Sequence, residues 1–339
     1  HQVSIKYLFK TIAMRNKNIQ FSFLVIMMLA SMVACKKEEY TIPDAVSQLT
    51  NDCIKRTIGP SIVSLPLEFA YAMAIPKSSG KLVSAQVEAS IAGASGTYLE
   101  HRSFFTNSSG VDVPVLVGSP SLTVDKTTKM TYSIDTNAAT LRYYYVIPEE
   151  ARGQSVSFTF TVTSSDGKTA SYKMGPYTIS KMSIRRNLAV SNGVNAFISI
   201  EDMAVYNAAA AAAAPGKIDL VYLFRAAPTT FTHALVSPGA DAAYLPGVVL
   251  PSGVNRSTKL RKVFNLQDRN LANLQFGIYV DDVDLKNVDM VDMPNYAIGL
   301  RAEAGVWVET ADKKYRAYIF VNSINAAGTA VISMLRYTL

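Results

Sequence analysis

The chain has 339 residues, 49% hydrophobic and 17% charged, which is enough for about two domains and too apolar for a disordered chain. Of its 33 basic residues, Lys6, Lys10, Arg15 and Lys17 precede residue 35, where no acid stands; beyond it, 29 bases face 26 acids. A chain so nearly balanced lacks the electrostatic footprint of a nucleic-acid binder, and no nucleic-acid partner is expected.

The first element is a leader. Phe21–Ala34 reads FSFLVIMMLASMVA behind Arg15 and Lys17. A basic start, an apolar stretch and a small residue at the exit make a secretory signal. A membrane-spanning helix needs about 20 apolar residues, more than this run supplies. A buried amphipathic helix is the competing reading, but the run has no polar face. Met32-Val33-Ala34-Cys35 resembles a bacterial lipobox, although such motifs more often begin with Leu. The resemblance implies that the Cys35 sulfur takes a diacylglycerol, that the chain is cut before it, and that the new amino terminus is acylated. Several acyl chains at about 0.8 kcal/mol per buried CH₂ make a stable anchor. Lys36-Lys37-Glu38-Glu39 is similar to the acidic signal that sends Bacteroidetes lipoproteins to the outer cell surface; a solvated tether is the alternative. Residues 1–34 are therefore read as an upstream extension before Met14 and a signal peptide, and residues 35–58 as lipid anchor and linker, with a short helix allowed. Cys53 is left without a partner cysteine and reads as a small buried hydrophobe.

A β pattern follows. Leu67–Ile75 and Leu82–Ala92 flank the turn-rich PKSSGK. Phe158–Thr163 alternates in the strand period and Ser171–Met174 follows, with Asp166-Gly167 as a hairpin signal between them. Such strands at regular spacing predict an Ig-like β-sandwich over residues 59–185.

The second half, residues 186–339, reads as α+β with a mostly antiparallel sheet, or as a second sandwich-like domain; the whole is mainly β. Asn192-Gly193 lies between apolar segments as a hairpin candidate. Ser199-Ile200-Glu201-Asp202 is a capping signal, and the seven alanines from Ala208 predict a helix over residues 201–214 that Pro215-Gly216 stops. Lys217–Phe224 is a strand, residues 226–258 are surface loops, and Leu266–Leu274 is a helix. At the end, GVWVET and YRAYIFVNS flank Ala311–Lys314 as a hairpin, and AVISMLRYTL completes the sheet.

Catalytic signatures are weak. Beyond the leader, His101 and His233 are the two histidines. The chain has no HExxH, no zinc-ligand spacing and no glycine-rich phosphate loop. Gly93-Ala94-Ser95-Gly96 falls short of a nucleophile elbow. The acidic run Asp281-Asp282-Val283-Asp284 offers hard oxygens for calcium; a solvated acidic edge on an extended strand is the favoured reading. The chain is expected not to be an enzyme and to need neither cofactor nor metal.

Aromatic residues give the binding candidates. In Arg142-Tyr143-Tyr144-Tyr145, strand alternation sends Tyr143 and Tyr145 to one face and Tyr144 to the other. Trp307, Tyr315 and Tyr318 stand on the terminal hairpin. All six are candidates for a ligand platform, a ring beside polar groups being a usual way to hold a sugar. The competing reading is core packing and cross-strand aromatic pairing.

Across most of the chain beyond the leader, CKKEEY, TLRYYYVIPEEARG, ISIEDMAVY, KIDLVYLF and GVWVETADKKYRAYIFVNS resemble a family of Bacteroidetes outer-membrane surface lipoproteins that has no assigned activity. In build that family is similar to the accessory lipoproteins of SusC/SusD-like glycan importers and to the two-domain fimbrial subunits of the same bacteria. The resemblance implies a cell-surface lipoprotein held in the outer membrane through Cys35, with a glycan or surface-protein partner. The expected function is non-catalytic binding of an extracellular ligand, plausibly a glycan. A pilin-like or adhesive structural subunit is the alternative.

Overall fold

In the computed structural model, which describes residues 48–272 and 277–339, the alternating segments pair into two sandwiches. The N-terminal one is built from β1 (Thr50–Lys55), β2 (Pro66–Ala74), β3 (Leu82–Ala89), β4 (Tyr98–Leu99), β5 (Arg102–Thr106) and β6 (Asp112–Leu116). It continues with β7 (Leu122–Val124), β8 (Thr127–Thr131), β9 (Ala138–Val146), β10 (Ser155–Ser164) and β11 (Thr169–Thr178). One sheet runs β1-β2-β9-β4 and faces a second of order β11-β10-β3-β8-β7, while β5 and β6 form a separate hairpin.

Period-2 alternation explains the layering. Along β10, Val156, Phe158, Phe160 and Val162 are buried, while Ser157, Thr159, Thr161 and Thr163 line the outer face. Phe69, Tyr71, Tyr143 and Tyr145 meet them from the other sheet. Asp166-Gly167 makes the predicted β10–β11 hairpin, with Gly167 at φ 78°. The linker expected through residue 58 holds β1 instead: Cys53 points into the core, while Asp52 and Ile54 face out. An edge strand with one buried side chain carries too little alternation to be read from sequence.

The C-terminal half has β12 (Ser183–Ser191), β13 (Asn195–Ser199), β14 (Ala204–Asn207), α1 (Ala208–Ala213), β15 (Leu220–Arg225), β16 (Thr232–Val236) and β17 (Lys259–Val263). Then come α2 (Arg269–Ala272), α3 (Asp282–Asn287), β18 (Tyr296–Leu300), β19 (Gly305–Glu309), β20 (Tyr315–Ile324) and β21 (Thr329–Thr338). Two five-stranded sheets, β12-β21-β20-β19-β17 and β14-β13-β15-β16-β18, enclose an aliphatic core. This is the sandwich alternative rather than the α+β one. Each sheet also buries its outer face, one under residues 266–272 and 280–293 and the other under α1 and the loop that carries Leu245 and Val254.

Several local expectations change here. Asn192-Gly193 turns a corner between the two sheets, because β12 pairs with β21 and β13 with β14 and β15. The helix predicted over 201–214 shrinks to α1. Residues 204–207 join the sheet as β14, and Asn207, not Ser199, caps the helix by accepting from Ala210 N at 2.9 Å. The loops expected over 226–258 contain β16. The helix expected over 266–274 is the single turn α2, with residues 273–276 outside the described residues. The acidic run is not an extended edge. Asp281 caps α3 in a reciprocal box with Asp284, and Asp282 accepts from Ser180 Oγ and, at 2.8 Å, from Lys181 N.

That last contact sits where the two sandwiches meet. Ser180 N donates to Ser61 O at 2.7 Å, and Ile62 and Met182 pack into one cluster with Leu335 and Tyr337. One end of the C-terminal sandwich is closed by an ion triad. Arg256 Nε lies 3.2 Å from Oδ1 of the fully buried Asp219, and its Nη2 lies 2.7 Å from Asp312 Oδ2.

Candidate ligand-binding surface

The outer face of the first sheet is where small and aromatic side chains meet water. Along β2 the outward residues are Glu68, Ala70, Ala72 and Ala74; along β9 they are Ala138, Thr140, Arg142 and Tyr144. The alanines leave a trough of about 470 Å³ between β1 and the β5–β6 hairpin, walled by Thr50, Asp52, Phe104 and Phe105. Phe105 is 53% exposed. The hairpin is fastened across the sheet by Arg142, whose Nη2 lies 2.6 Å from Asp112 Oδ2 and whose guanidinium lies 5.2 Å from the Phe104 ring centroid. Thr140 N also donates to Ser103 Oγ at 3.0 Å.

Beside this clamp, Glu68, Tyr144 and Tyr98 form one row across three strands. Tyr98 and Tyr144 stack at 4.8 Å with their planes 17° apart, and Tyr98 is 40% exposed. Burial, reinforced by Glu100 for Tyr98 and by Glu68 for Tyr144, raises both phenol pKa values, so both hydroxyls stay neutral donors at neutral pH. Polar groups ring the pair: Arg56 Nε is 3.0 Å from Glu68 Oε1, and Arg102 grips Glu100 through two bonds of 2.9 and 2.7 Å. His101 Nδ1 is 3.3 Å from the same carboxylate. The array offers ring surface with donors and acceptors at its margin, the chemistry that holds a hydroxylated ring.

Of the six aromatic candidates, Tyr144 alone stands on this surface. Tyr143 and Tyr145 point into the sandwich, where Tyr145 meets Phe158 edge-on at 4.9 Å and donates to Ile91 O at 3.0 Å. Trp307 is buried against Tyr318 at 4.6 Å under the layer of residues 266–272 and 280–293. Tyr318 has no exposure and donates to Leu266 O at 2.5 Å. Its hydroxyl fills the space a Cβ at Gly305 would need, at 2.0 Å. Tyr315 is half-buried beneath the Arg336 guanidinium, 5.1 Å from its ring centroid. These four buried rings and Tyr315 are withdrawn as a platform, because packing and a cation already occupy their faces. Tyr98 was not a sequence candidate, since a two-residue strand has no period to read. Cys35 lies outside the described residues. Among the described residues, no helix is long and apolar enough to cross a membrane.

The fold and surface define a two-domain β-sandwich protein with an aromatic row on an open sheet face. Residues 46–179 match "Domain of unknown function (DUF4466)" and residues 180–339 match "Domain of unknown function (DUF8576)". The chain is 48% identical to a DUF4466 family protein from Parabacteroides merdae, a member of the Bacteroidetes, whose crystal structure aligns with a TM-score of 0.83 over 87% of this chain and 100% of that one. The chain belongs to the DUF4466 family. Two remote matches are the major pilin of Streptococcus agalactiae (10% identity, TM-score 0.26, 47% of this chain and 66% of that one) and an Actinomyces fimbrial adhesin (8%, 0.27, 84% and 95%). No curated protein matches the chain.

Proposed function

We propose that this is a lipid-anchored protein of the outer cell surface that binds an extracellular glycan without transforming it, as an accessory to glycan uptake. The observation that carries the binding reading is the Tyr98–Tyr144 stack, half-open to water and bordered by Glu68, Arg56, Glu100 and Arg102. Aromatic rings bury the apolar face of a sugar while charged groups at the rim take its hydroxyls. The cellular address rests on Cys35 and the Lys36–Glu39 segment.

Affinity electrophoresis tests the binding. Migration of the purified protein should be retarded by at least one neutral polysaccharide in the gel. The Tyr98→Ala/Tyr144→Ala double variant should lose that retardation while its thermal unfolding midpoint stays within a few degrees. A native protein that no polymer slows sinks the reading. In whole cells, an impermeant protease should remove the wild-type protein, and Cys35→Ala should fail to incorporate labelled palmitate. Protection from the protease would move the protein to an inward-facing leaflet.

A further inference from the structure

The end of the C-terminal sandwich opposite the Asp219–Arg256–Asp312 triad is open. There β15, β17, β18 and β20 finish and β16 begins, around a cleft of about 890 Å³, within the size range of small-molecule sites. The lining is chemically one-sided. It holds the cations Lys262 and Arg301, three hydroxyls from Thr229, Thr230 and Thr232, and no carboxylate. Neither cation pairs with an acid among the described residues. Glu303, the acid closest in sequence to Arg301, is engaged by Gln267 Nε2 at 2.9 Å.

The cleft is held rather than incidental. Lys262 Nζ donates to Ile298 O at 2.6 Å and lies 5.3 Å from the centroid of the Phe264 ring, which is 53% exposed. One donor of the ammonium is fixed and the others are left for a ligand. In the lining, His233 is only 4% exposed. Its Nδ1 shares a 2.6 Å hydrogen bond with Tyr222 Oη, and its Nε2 has no partner among the described residues. Gly299, at φ +66°, keeps the wall bare: a Cβ there would stand 3.0 Å from Thr230 O and 3.8 Å from Lys262 Nζ. Thr232 takes φ 40°, a conformation that a β-branched residue adopts only where its surroundings enforce it.

We propose that this cleft is a second binding site, for a sugar that carries a carboxylate or sulfate. The anionic group meets Lys262 and Arg301, ring hydroxyls meet the threonines and His233 Nε2, and the ring lies along Phe264. Two cations flanked by three hydroxyls suit one negative charge on a hydroxylated ring better than a polyphosphate. The site shares no residue with the Tyr98–Tyr144 surface, so either can fail alone.

Isothermal titration of the purified protein tests it with three probes: trigalacturonic acid, its methyl ester, and galactose 6-sulfate, which carries a sulfate and no carboxylate. At least one acidic probe should bind, at least tenfold more tightly than the neutral ester, and raising salt from 50 to 500 mM should weaken it several-fold. Lys262→Glu/Arg301→Glu should abolish that binding, and Arg301→Ala alone should weaken it about tenfold. Both cations are solvent-exposed, so both variants should keep the native unfolding midpoint. The Tyr98→Ala/Tyr144→Ala variant should bind the acidic probe as the wild type does. The proposal is overturned if no acidic probe binds, if the ester binds equally well, or if the folded charge-reversed protein retains its affinity. Binding of the carboxylate or of the sulfate alone identifies which anion the site takes.

Discussion

The two sandwiches solve the same burial problem differently. The N-terminal one packs rings: Phe69, Tyr71, Tyr143, Tyr145, Phe158 and Phe160 share one core, with centroids such as Phe69–Phe158 at 4.8 Å and Tyr71–Phe160 at 5.0 Å. The C-terminal inner core is built mainly from Val, Ile, Leu, Ala and Met, with Tyr222 as its buried ring. Large rings fill the space between two sheets by themselves, so the N-terminal domain has no further apolar layer, and outside the cover of the β5–β6 hairpin its outer sheet faces remain open to water. The aliphatic core is supplemented by two outer apolar clusters under loops and short helices. Coverage then decides where a ligand has access. In the first domain it is a sheet face, the Tyr98–Tyr144 row beside the alanine trough. In the second it is an uncovered end.

The largest test of this contrast is to delete a ring. Phe160 has no exposure and touches Phe69, Tyr71 and Tyr143. Phe160→Ala should cost about 3–5 kcal/mol in urea unfolding, through lost transfer energy and a cavity that neighbouring rings cannot fill by small shifts. Ile319→Ala, at a fully buried position of the aliphatic core, should cost less, about 2–4 kcal/mol, because thinner neighbours collapse more readily. A larger loss at Ile319 than at Phe160 would break the idea that rings make the N-terminal core self-sufficient.

Next in size is the closed end of the second sandwich. Burial pushes the Asp219 carboxyl up to about 6 from an ordinary 3.8, against the opposing pull of the Ile200 N–H at 2.8 Å and of Arg256. An acid whose pKa is higher folded than unfolded takes up a proton on folding between the two values. Its contribution to stability is therefore greatest below about pH 4, falls as pH rises towards 6, and levels off above. Relative to Asp219→Asn, the wild type should lose about 3 kcal/mol across that window. Denaturant titrations of both proteins at pH 4, 5, 6 and 7 measure it. Parallel pH profiles would mean that Arg256 already compensates the buried charge in full.

Legibility followed the strength of alternation. Strands whose inward positions alternate, β2, β9 and β10, could be read from their period, and so could the Asp166-Gly167 turn between β10 and β11. The strand β1 buries a single cysteine side chain and passed for linker. The polyalanine run from Ala208 does form α1, but the helix does not reach back to residue 201: Ala204–Asn207 pairs with β13, where ladder hydrogen bonds and the neighbouring core outweigh helix propensity. Alternation correctly put Tyr144 opposite Tyr143 and Tyr145, but could not tell which face met water. The aromatic hairpin of β19 and β20 misled for a related reason. Both of its faces are buried, one against the opposing sheet and one under residues 266–272 and 280–293, and nothing in the sequence of that layer, read as a helix and an acidic edge, says which strands it covers. The cleft was invisible because its residues come from five segments brought together only by the fold.

The smallest expected effect best separates a ligand surface from a structural seam. Tyr98 sits at the margin of the N-terminal core, with its ring stacked on Tyr144 and 40% of its surface in water. A stacked aromatic pair contributes about 0.5–1.5 kcal/mol beyond area burial, and partial exposure puts Tyr98→Ala towards the lower part of that range. Its thermal midpoint should therefore fall by only a few degrees, whereas Phe160→Ala unfolds the domain at far lower denaturant. If the row exists to bind, Tyr98→Ala should cost more in ligand affinity than in stability, and Tyr98→Phe, which keeps the ring and removes the hydroxyl, should restore the stacking share of that affinity. A Tyr98→Ala loss of stability comparable to that at Phe160 would make the row a structural seam of the sheet edge, and the open face would then have no ligand role to explain.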